Sequence, residues 1–300
     1  MSADRRSFLK GMVGAGAAAA ASAVPVSASE APREAPEDAV GLLYDTTLCI
    51  GCKTCVVACR EANRLKPDNS DDPLYDAPAA LNAQTKNIIK LHKDDEGRRS
   101  YMKQQCMHCV DPACVGACMI GAFQKREYGI VTWDGDRCIG CRYCQVACPY
   151  EIPKFQWASR TPKIVKCELC NHRLAEGKEP GCTEVCPRKA VIYGTREELL
   201  EEAHRRIAEN PGRYYTAPGD EGPKVYGEFD GGGTQCLYLA HVPFEDLGLP
   251  DLGDESHPVL SRTVQHGIYQ GFIAPVALYA VLGGVMLRNR RARRDGGDHE

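Results

Sequence analysis

CIGCRYCQVACP, the stretch at residues 138–149, carries four cysteines with the spacing C-x2-C-x2-C-x3-C. The same spacing occurs at residues 49–59, and residues 106–118 repeat it as C-x2-C-x4-C-x3-C. A further copy, at residues 167–186, has the spacing C-x2-C-x11-C-x3-C. These motifs account for all but one of the 17 cysteines. The motif cysteines are Cys49, Cys52, Cys55, Cys59, Cys106, Cys109, Cys114, Cys118, Cys138, Cys141, Cys144, Cys148, Cys167, Cys170, Cys182 and Cys186.

The spacing within each motif is typical of iron–sulfur ligands. Three thiolates in one short loop can bind three irons of a cubane cluster, whereas the fourth cysteine lies on the next helical turn and points to a neighbouring cluster. The motifs are therefore expected to work in pairs, and four motifs predict four [4Fe–4S] clusters. Structural zinc is the main alternative, but a zinc site has no use for a third cysteine three residues later. Disulfides are the third interpretation of so many cysteines.

The composition argues against several classes of function. The net charge of -3 gives no reason to expect a nucleic-acid partner, and basic residues cluster only at the two ends of the chain. The sequence contains no glycine-rich nucleotide-binding motif and no nucleophile–base pattern. We therefore expect an electron carrier that is not itself an enzyme. The alternative from another functional class is a zinc-stabilised, membrane-tethered interaction module.

The N-terminal residues predict export. DRRSFLK at residues 4–10 precedes an uncharged stretch rich in Ala and Gly, which contains the small residues VSA at 26–28. Adjacent arginines before a weakly apolar stretch are typical of a twin-arginine signal, which we assign to residues 1–28. This route carries folded proteins, so the clusters can be inserted in the cytoplasm before export.

The C-terminal residues predict a membrane anchor. Residues 263–287 contain no Asp, Glu, Lys or Arg and are long enough for a helix to cross a bilayer. Five arginines follow between residues 288 and 294, and such a basic flank is expected on the cytoplasmic side. The protein is thus predicted on the periplasmic face of the inner membrane, with a single C-terminal transmembrane helix and residues 288–300 as a cytoplasmic tail.

Three further parts are expected between the two ends. Residues 29–40 form a linker that is rich in proline and charge. Residues 41–195 contain all four motifs and form the ferredoxin-type domain. Residues 196–262 are expected to form a helix followed by an irregular extension, because glycines and prolines are frequent there and periodicity is weak.

Two local features are predicted in this last part. Thr195 and Glu198 have the spacing of a capping box, so a helix should begin there and stop before Pro211. The glycines at residues 231–233 predict a turn. The extension also holds Cys236, which belongs to no motif and is interpreted as a free thiol.

Five segments carry a resemblance to a known family. They are LYDTTLCIGC at residues 43–52, KQQCMHCVDP at 103–112, KCELCN at 166–171, YGTREEL at 193–199 and GGGTQ at 231–235. Four ferredoxin-type motifs with these spacings resemble the electron-transfer subunits of the dimethyl-sulfoxide-reductase and formate-dehydrogenase families. Within that group, the segments are similar to the HybA-type iron–sulfur proteins of hydrogenase-2 systems, and the similarity extends over nearly the whole chain.

The resemblance implies a fold and a pairing of ligands. In the wider family the first motif pairs with the fourth and the second with the third, which implies an α+β fold of two interleaved ferredoxin-like modules with two clusters each. The implied ligand sets are Cys49, Cys52, Cys55 and Cys186; Cys59, Cys167, Cys170 and Cys182; Cys106, Cys109, Cys114 and Cys148; and Cys118, Cys138, Cys141 and Cys144. Arg60 and Met119 depart from the ferredoxin pattern, in which a proline often follows the fourth cysteine, but no ligand is lost.

The resemblance also implies a function. The family role is that of an intermediate subunit in a membrane-bound [NiFe] hydrogenase, with the hydrogenase large and small subunits upstream. Electrons would pass from the small subunit through the clusters to an integral membrane, quinone-reactive subunit. The nearest alternative is the same electron carrier in a molybdopterin oxidoreductase or a nitrite-reductase system.

Overall fold

The structure, a computed structural model, describes residues 33–66, 80–259, 275–276 and 278–291. One compact unit comprises Pro32–Pro258, and a second comprises Met1–Ala31 with Val259–Glu300. All 17 cysteines lie in the first unit, so the candidate cluster sites belong to that unit alone.

Short helices and small sheets alternate along this unit. The strands are β1 Val40–Asp45, β2 Asn87–Lys93, β3 Arg99–Gln105, β4 Phe123–Lys125, β5 Val131–Trp133, β6 Lys154–Phe155, β7 Ile164–Val165, β8 Val191–Thr195 and β9 Cys236–Leu239. The helices are α1 Thr54–Ala62, α2 Ala113–Gly116, α3 Tyr143–Ala147, α4 Asn171–Leu174, α5 Gly181–Glu184 and α6 Arg196–Glu209, with a 3-10 turn at Glu127–Gly129. This arrangement confirms a mixed α and β fold.

The largest sheet has the order β8-β1-β9. Strand β1 pairs antiparallel with β8 and parallel with β9. Strand β9 comes from the segment predicted to be irregular, so that prediction is wrong for Cys236–Leu239. Four consecutive buried residues are too short a pattern to distinguish a strand from a loop. The strand also depends on a distant partner, because Cys236 pairs with Leu42, almost 200 residues earlier in the sequence.

The two faces of this sheet cover different cores, because successive side chains in a strand point to opposite sides. Leu43 and Leu237 pack with Leu199 and Ala203 of α6. On the other face, Tyr44 and its neighbours join the large core that contains many of the motif cysteines. The sheet therefore lies between α6 and the motif cysteines of the large core.

Helix α6 begins and ends as its sequence predicts. The Thr195 hydroxyl accepts from the Glu198 backbone N–H, and the Glu198 carboxylate accepts from the Thr195 backbone N–H at 2.9 Å. The helix ends at Glu209, before Pro211. The capping box and the helix end are both confirmed, and the glycines at 231–233 form the expected turn with positive φ at each position.

The large core and one smaller core surround the motifs. The β2–β3 hairpin contributes Ile88 and Met102 to the large core. A smaller core contains Phe123, Val131 and Ile164 from three different short strands, together with cysteines of the second and third motifs. The cysteines are thus divided between a large and a small apolar environment.

The predicted export signal at residues 1–28 lies outside the described residues. So does much of the predicted membrane span at 263–287, of which residues 275–276 and 278–287 are described and helical. Among the helices that are described, none is long and apolar enough to cross a bilayer.

Candidate iron–sulfur sites

Helix packing brings the motifs together in pairs. Helix α1 of the first motif packs against α5 of the fourth, and α2 of the second packs against α3 of the third. At the first contact, a Cβ added to Gly181 would lie 3.2 Å from the Ala58 carbonyl oxygen and 3.3 Å from the Ala62 Cβ. A glycine at this position therefore allows the close approach of the two helices.

In each C-x2-C loop the residue directly before the second cysteine has a positive φ, and in the fourth motif Cys170 has one as well. The positive φ angles are 70° at Gly51, 48° at His108, 73° at Gly140 and 49° at Leu169. Glycine adopts this conformation without penalty, whereas His108 and Leu169 pay about 1–2 kcal/mol for it. The same backbone turn thus recurs in all four motifs although only two of them contain the glycine that favours it.

The first and fourth motifs supply two groups of neighbouring thiols. Group I consists of Cys49, Cys52, Cys55 and Cys186, and group II consists of Cys59, Cys167, Cys170 and Cys182. Burial and, to a smaller extent, the other three thiols of group I raise the pKa of Cys55 to about 11. Burial also raises the pKa of Cys59, and the other three thiols of group II add to the effect. The fourth cysteine of the first motif therefore lies among thiols of the fourth motif.

The second and third motifs supply two more groups. Group III consists of Cys106, Cys109, Cys114 and Cys148, and group IV consists of Cys118, Cys138, Cys141 and Cys144. The pKa of Cys109 is raised well above its usual value by burial and then by the three other thiols of group III. Burial and the three other thiols of group IV raise the pKa of Cys144 to about 12. The groups have the same members as the ligand sets implied by the resemblance, and ligation itself stays a prediction.

The four thiols of each group are suitable ligands for an iron–sulfur cluster. The residues of group I line one small cavity, and those of group IV line another. Backbone N–H groups donate to sulfur in several motifs, at 3.4 Å from Gly51 to Cys49 and at 3.2 Å from Ala122 to Cys118. Such donors stabilise thiolates, the form that binds iron, and the raised thiol pKa values mean that cluster binding must displace protons.

Electrostatic interactions between thiols of different groups indicate the order in which the groups lie. Besides burial, the charge of Cys55 in group I raises the pKa of Cys182 in group II, so the two thiols are close together. Cys106 of group III is similarly close to Cys167 of group II. Cys114 of group III is close to Cys144 of group IV. The groups therefore follow one another as I, II, III and IV.

The two ends of this order reach the surface. Cys52 of group I and Cys141 of group IV are exposed, whereas the other motif cysteines are buried or half-buried. Ile50 and Val57 beside the first end, and Ile139 beside the second, are large apolar side chains in contact with solvent. Each terminal group is thus accessible from outside the protein.

Two buried lysines lie among the groups and were not singled out by the sequence. Lys103 on β3 is 0% exposed, and its ammonium donates to the Gln105 side-chain oxygen. Lys166 is 3% exposed and donates to the backbone carbonyl oxygens of Cys167, at 2.8 Å, and of Val131. Alternation along β3 does not indicate Lys103, because the consecutive residues Met102 and Lys103 are both buried.

Two histidines near the motifs and Cys236 belong to none of the four groups. His108 is buried, and its Nδ1 accepts from the Val131 backbone N–H at 3.1 Å. His172 is exposed, with its Nε2 2.9 Å from the Ala62 carbonyl oxygen. Cys236 is buried on β9 and donates to the Cys106 carbonyl oxygen at 3.3 Å. In the described ranges, no three His, Cys, Asp or Glu side chains are arranged to hold a single metal ion.

Comparison with known proteins identifies the family. Residues 98–196 match the 4Fe-4S dicluster domain. The chain is 42% identical over 327 residues to the hydrogenase-2 operon protein HybA of Escherichia coli O157:H7, with 99% of each chain covered. It is 37% identical over 246 residues to the iron–sulfur subunit of the nitrate-inducible formate dehydrogenase of Escherichia coli K12, with 79% of each chain covered. The corresponding formate dehydrogenase subunit of Haemophilus influenzae is 33% identical over 257 residues, with 83% of this chain and 78% of the relative covered.

These matches agree with the resemblance predicted from the motifs. They support an iron–sulfur protein with ferredoxin-type clusters, and they weigh against the zinc and disulfide interpretations of the cysteines. The chain belongs to the family of HybA and the formate dehydrogenase iron–sulfur subunits, which are iron–sulfur electron-transfer proteins.

Proposed function

We propose that this chain is the electron-transfer subunit of a membrane-bound [NiFe] hydrogenase. It relays electrons between the hydrogenase small subunit and a quinone-reactive membrane subunit through four [4Fe–4S] clusters, bound by groups I to IV. Groups I and II form one ferredoxin-like module, and groups III and IV form the other. The chain has no catalytic role of its own.

The linear order of the thiol groups is the observation that carries this proposal. Bound clusters supply one-electron redox chemistry, with potentials set by charge, hydrogen bonds and exposure. The protein's part is to hold the four groups in sequence and to bury the inner ones. Its exposed ends, at Cys52 and Cys141, give a donor and an acceptor separate places to approach.

The hydrogenase partner is favoured by the coverage of the relatives. HybA, a hydrogenase-2 operon protein, matches over 99% of both chains, whereas the formate dehydrogenase subunit matches over 79%. A match over 99% of this chain takes in nearly all of both terminal segments, for which we propose a twin-arginine signal at 1–28 and a membrane anchor at 263–287. The cysteine domain would then lie on the periplasmic face of the membrane.

Deletion of the gene tests the proposal because it should separate two activities. Hydrogen oxidation with an artificial dye should survive at least in part, since the dye can take electrons directly from the upstream subunits. Hydrogen-dependent quinone reduction should be lost, because the remaining gap is too wide for fast electron transfer. A deletion strain that still reduces quinone with hydrogen at the normal rate would rule out this function.

Complementation makes the test specific to the clusters. A chain with Cys138→Ser should restore assembly better than electron transfer, because it removes one thiol of group IV and leaves most of the fold intact. Cys236→Ser is the matched control, since Cys236 belongs to no group, and it should restore both.

The second candidate is an iron–sulfur subunit of a molybdopterin oxidoreductase, which the 37% identity to a formate dehydrogenase subunit favours. Purification of the intact membrane complex separates the two candidates. Hydrogenase subunits in the complex support the first function, and a molybdopterin enzyme supports the second.

A further inference from the structure

Lys103 lies between groups I and II. Its ammonium is close to Cys55 of group I and to three thiols of group II, Cys182, Cys167 and Cys59. Burial alone would lower the pKa of Lys103, but the negative charge that these sulfurs can carry outweighs burial and raises it. The side chain is completely buried, and its ammonium donates to the neutral Gln105 side-chain oxygen.

Lys166 occupies the equivalent position between groups II and III. Its ammonium is close to Cys106 and Cys114 of group III and to Cys167 of group II. Glu168 also acts on it, but the Glu168 carboxylate is already paired with the Lys86 ammonium at 2.9 Å. One buried positive charge thus lies between groups I and II, and another lies between groups II and III.

Among the residues that the structure describes, neither Lys103 nor Lys166 forms an ion pair with a carboxylate, whereas Lys86 and Lys224 do. A buried ammonium without an anion is strongly unfavourable, and neutral carbonyl and amide oxygens compensate for it only in part. Four thiolates on a cubane cluster carry a net negative charge that increases on reduction, so the cluster sites supply the missing anion.

We propose that Lys103 and Lys166 are internal counter-ions that raise the reduction potentials of the adjacent clusters, Lys103 at groups I and II and Lys166 at groups II and III. A fixed positive charge stabilises the reduced cluster, the more negative state, more than the oxidised cluster. The inference rests on the proposed function, because it requires the clusters that groups I to III are proposed to bind.

The arrangement predicts a pattern that a purely structural role would not produce. Group II lies beside both lysines, groups I and III lie beside one lysine each, and group IV lies beside neither. Loss of the Lys103 charge should lower the potentials of the clusters at groups I and II. Loss of the Lys166 charge should lower those at groups II and III, and the group IV potential should stay unchanged in both cases.

The experiment is a redox titration followed by electron paramagnetic resonance, on the purified intact complex that contains the full chain. Lys103→Met and Lys166→Met remove the charges, and Lys103→Arg and Lys166→Arg retain them. Lys178→Met is the control, because Lys178 is exposed and pairs only with Glu176 on the surface. Cys52→Ser and Cys141→Ser identify the signals of the two terminal clusters.

We expect lower potentials in the Met variants, in the pattern described above, and potentials close to wild type in the Arg and Lys178→Met variants. Lys103→Gln separates charge from hydrogen bonding, since an amide can still donate to Gln105 but carries no charge. If Lys103→Met loses iron, Lys103→Gln is titrated instead and is expected to show the same decrease.

Wild-type potentials in iron-replete Met or Gln variants would overturn the inference, and so would a decrease at group IV equal to that at group II. A wild-type complex in which this chain lacks clusters would instead refute the proposed function. Iron analysis of the wild type before titration therefore distinguishes the two failures.

Discussion

The first and third cysteine motifs have the same spacing and the same C-I-G-C start, yet their helices differ in length. Both loops turn at a left-handed glycine, and both expose the second cysteine. Helix α1 continues through Cys59 to Ala62, whereas α3 ends at Ala147, directly before the fourth cysteine. Identical cysteine spacing therefore does not fix the local structure around the fourth cysteine.

The residue after the fourth cysteine accounts for much of this difference. Pro149 restricts Cys148 to an extended conformation, with φ -81° and ψ 113°, and cannot donate a helical hydrogen bond. Arg60 occupies the corresponding position in the first motif and allows α1 to continue and pack against α5. The first motif thus presents Cys59 from within a helix, and the third presents Cys148 from an extended segment.

The largest expected effect comes from the fourth cysteine of the first motif. Cys59→Ser should remove or convert the cluster of group II, because the other thiols near Cys59 belong to the fourth motif. Iron analysis and electron paramagnetic resonance of the anaerobic protein measure the result. Cys236→Ser is the matched control and should retain all clusters.

The cluster signal that Cys59→Ser alters shows which thiol group Cys59 serves. If Cys59→Ser altered only the signal that Cys52→Ser also alters, Cys59 would serve group I. The first motif would then bind a cluster alone, and the pairing of the first motif with the fourth would be wrong.

The next effect is expected when the first motif receives the proline of the third. Arg60→Pro should destabilise the protein by about 3 kcal/mol or more, because it removes a hydrogen bond in the interior of α1 and forces its ring against the preceding turn. The anaerobic thermal midpoint of bleaching in the visible spectrum measures the loss. A midpoint equal to that of wild type would show that the continuation of α1 contributes nothing to stability.

The two left-handed glycines should respond unequally to alanine. Gly51→Ala introduces backbone strain of about 1–2 kcal/mol, and its Cβ would lie 2.3 Å from the Tyr101 ring, which adds about 1–3 kcal/mol of overpacking. Gly140→Ala introduces the strain alone, because its nearest contact is Phe155 at 3.6 Å. Thermal midpoints should therefore fall further for Gly51→Ala, and equal decreases would contradict the difference in packing.

The smallest effect is expected when the third motif loses its proline. Pro149→Ala should change stability by less than about 1 kcal/mol, because alanine can adopt the extended conformation and chiefly gains freedom in the unfolded state. Helical content by circular dichroism should increase slightly, because Cys148 is no longer restricted to an extended conformation. Unchanged helical content would mean that Pro149 does not end α3.

Much of the fold could be predicted from local signals, and the parts that could not be predicted depend on distant partners. The capping box at Thr195 and Glu198 is a local pattern, so the start of α6 could be predicted to the residue. Strand β9 could not, because its four residues are stabilised by pairing with β1 across the chain. The motif spacing predicted that the fourth cysteine of each motif serves a neighbouring cluster, whereas the pairing of the first motif with the fourth and of the second with the third came from resemblance.

The buried lysines show the same limit at the site. Residue type alone predicts that Lys103 and Lys166 are exposed, since lysine is rarely buried. Only the fold brings their ammonium groups among the thiols of two different motifs. A charged residue next to a cysteine motif was visible in the sequence, but its burial was not.

Metal analysis of the anaerobically isolated chain tests the central claim most directly. Four [4Fe–4S] clusters on groups I to IV require about sixteen iron atoms per chain, matched by acid-labile sulfide, and no stoichiometric zinc. The same sample should be brown and absorb broadly in the visible. About eight iron atoms per chain, or zinc in stoichiometric amount, would contradict the assignment of four clusters.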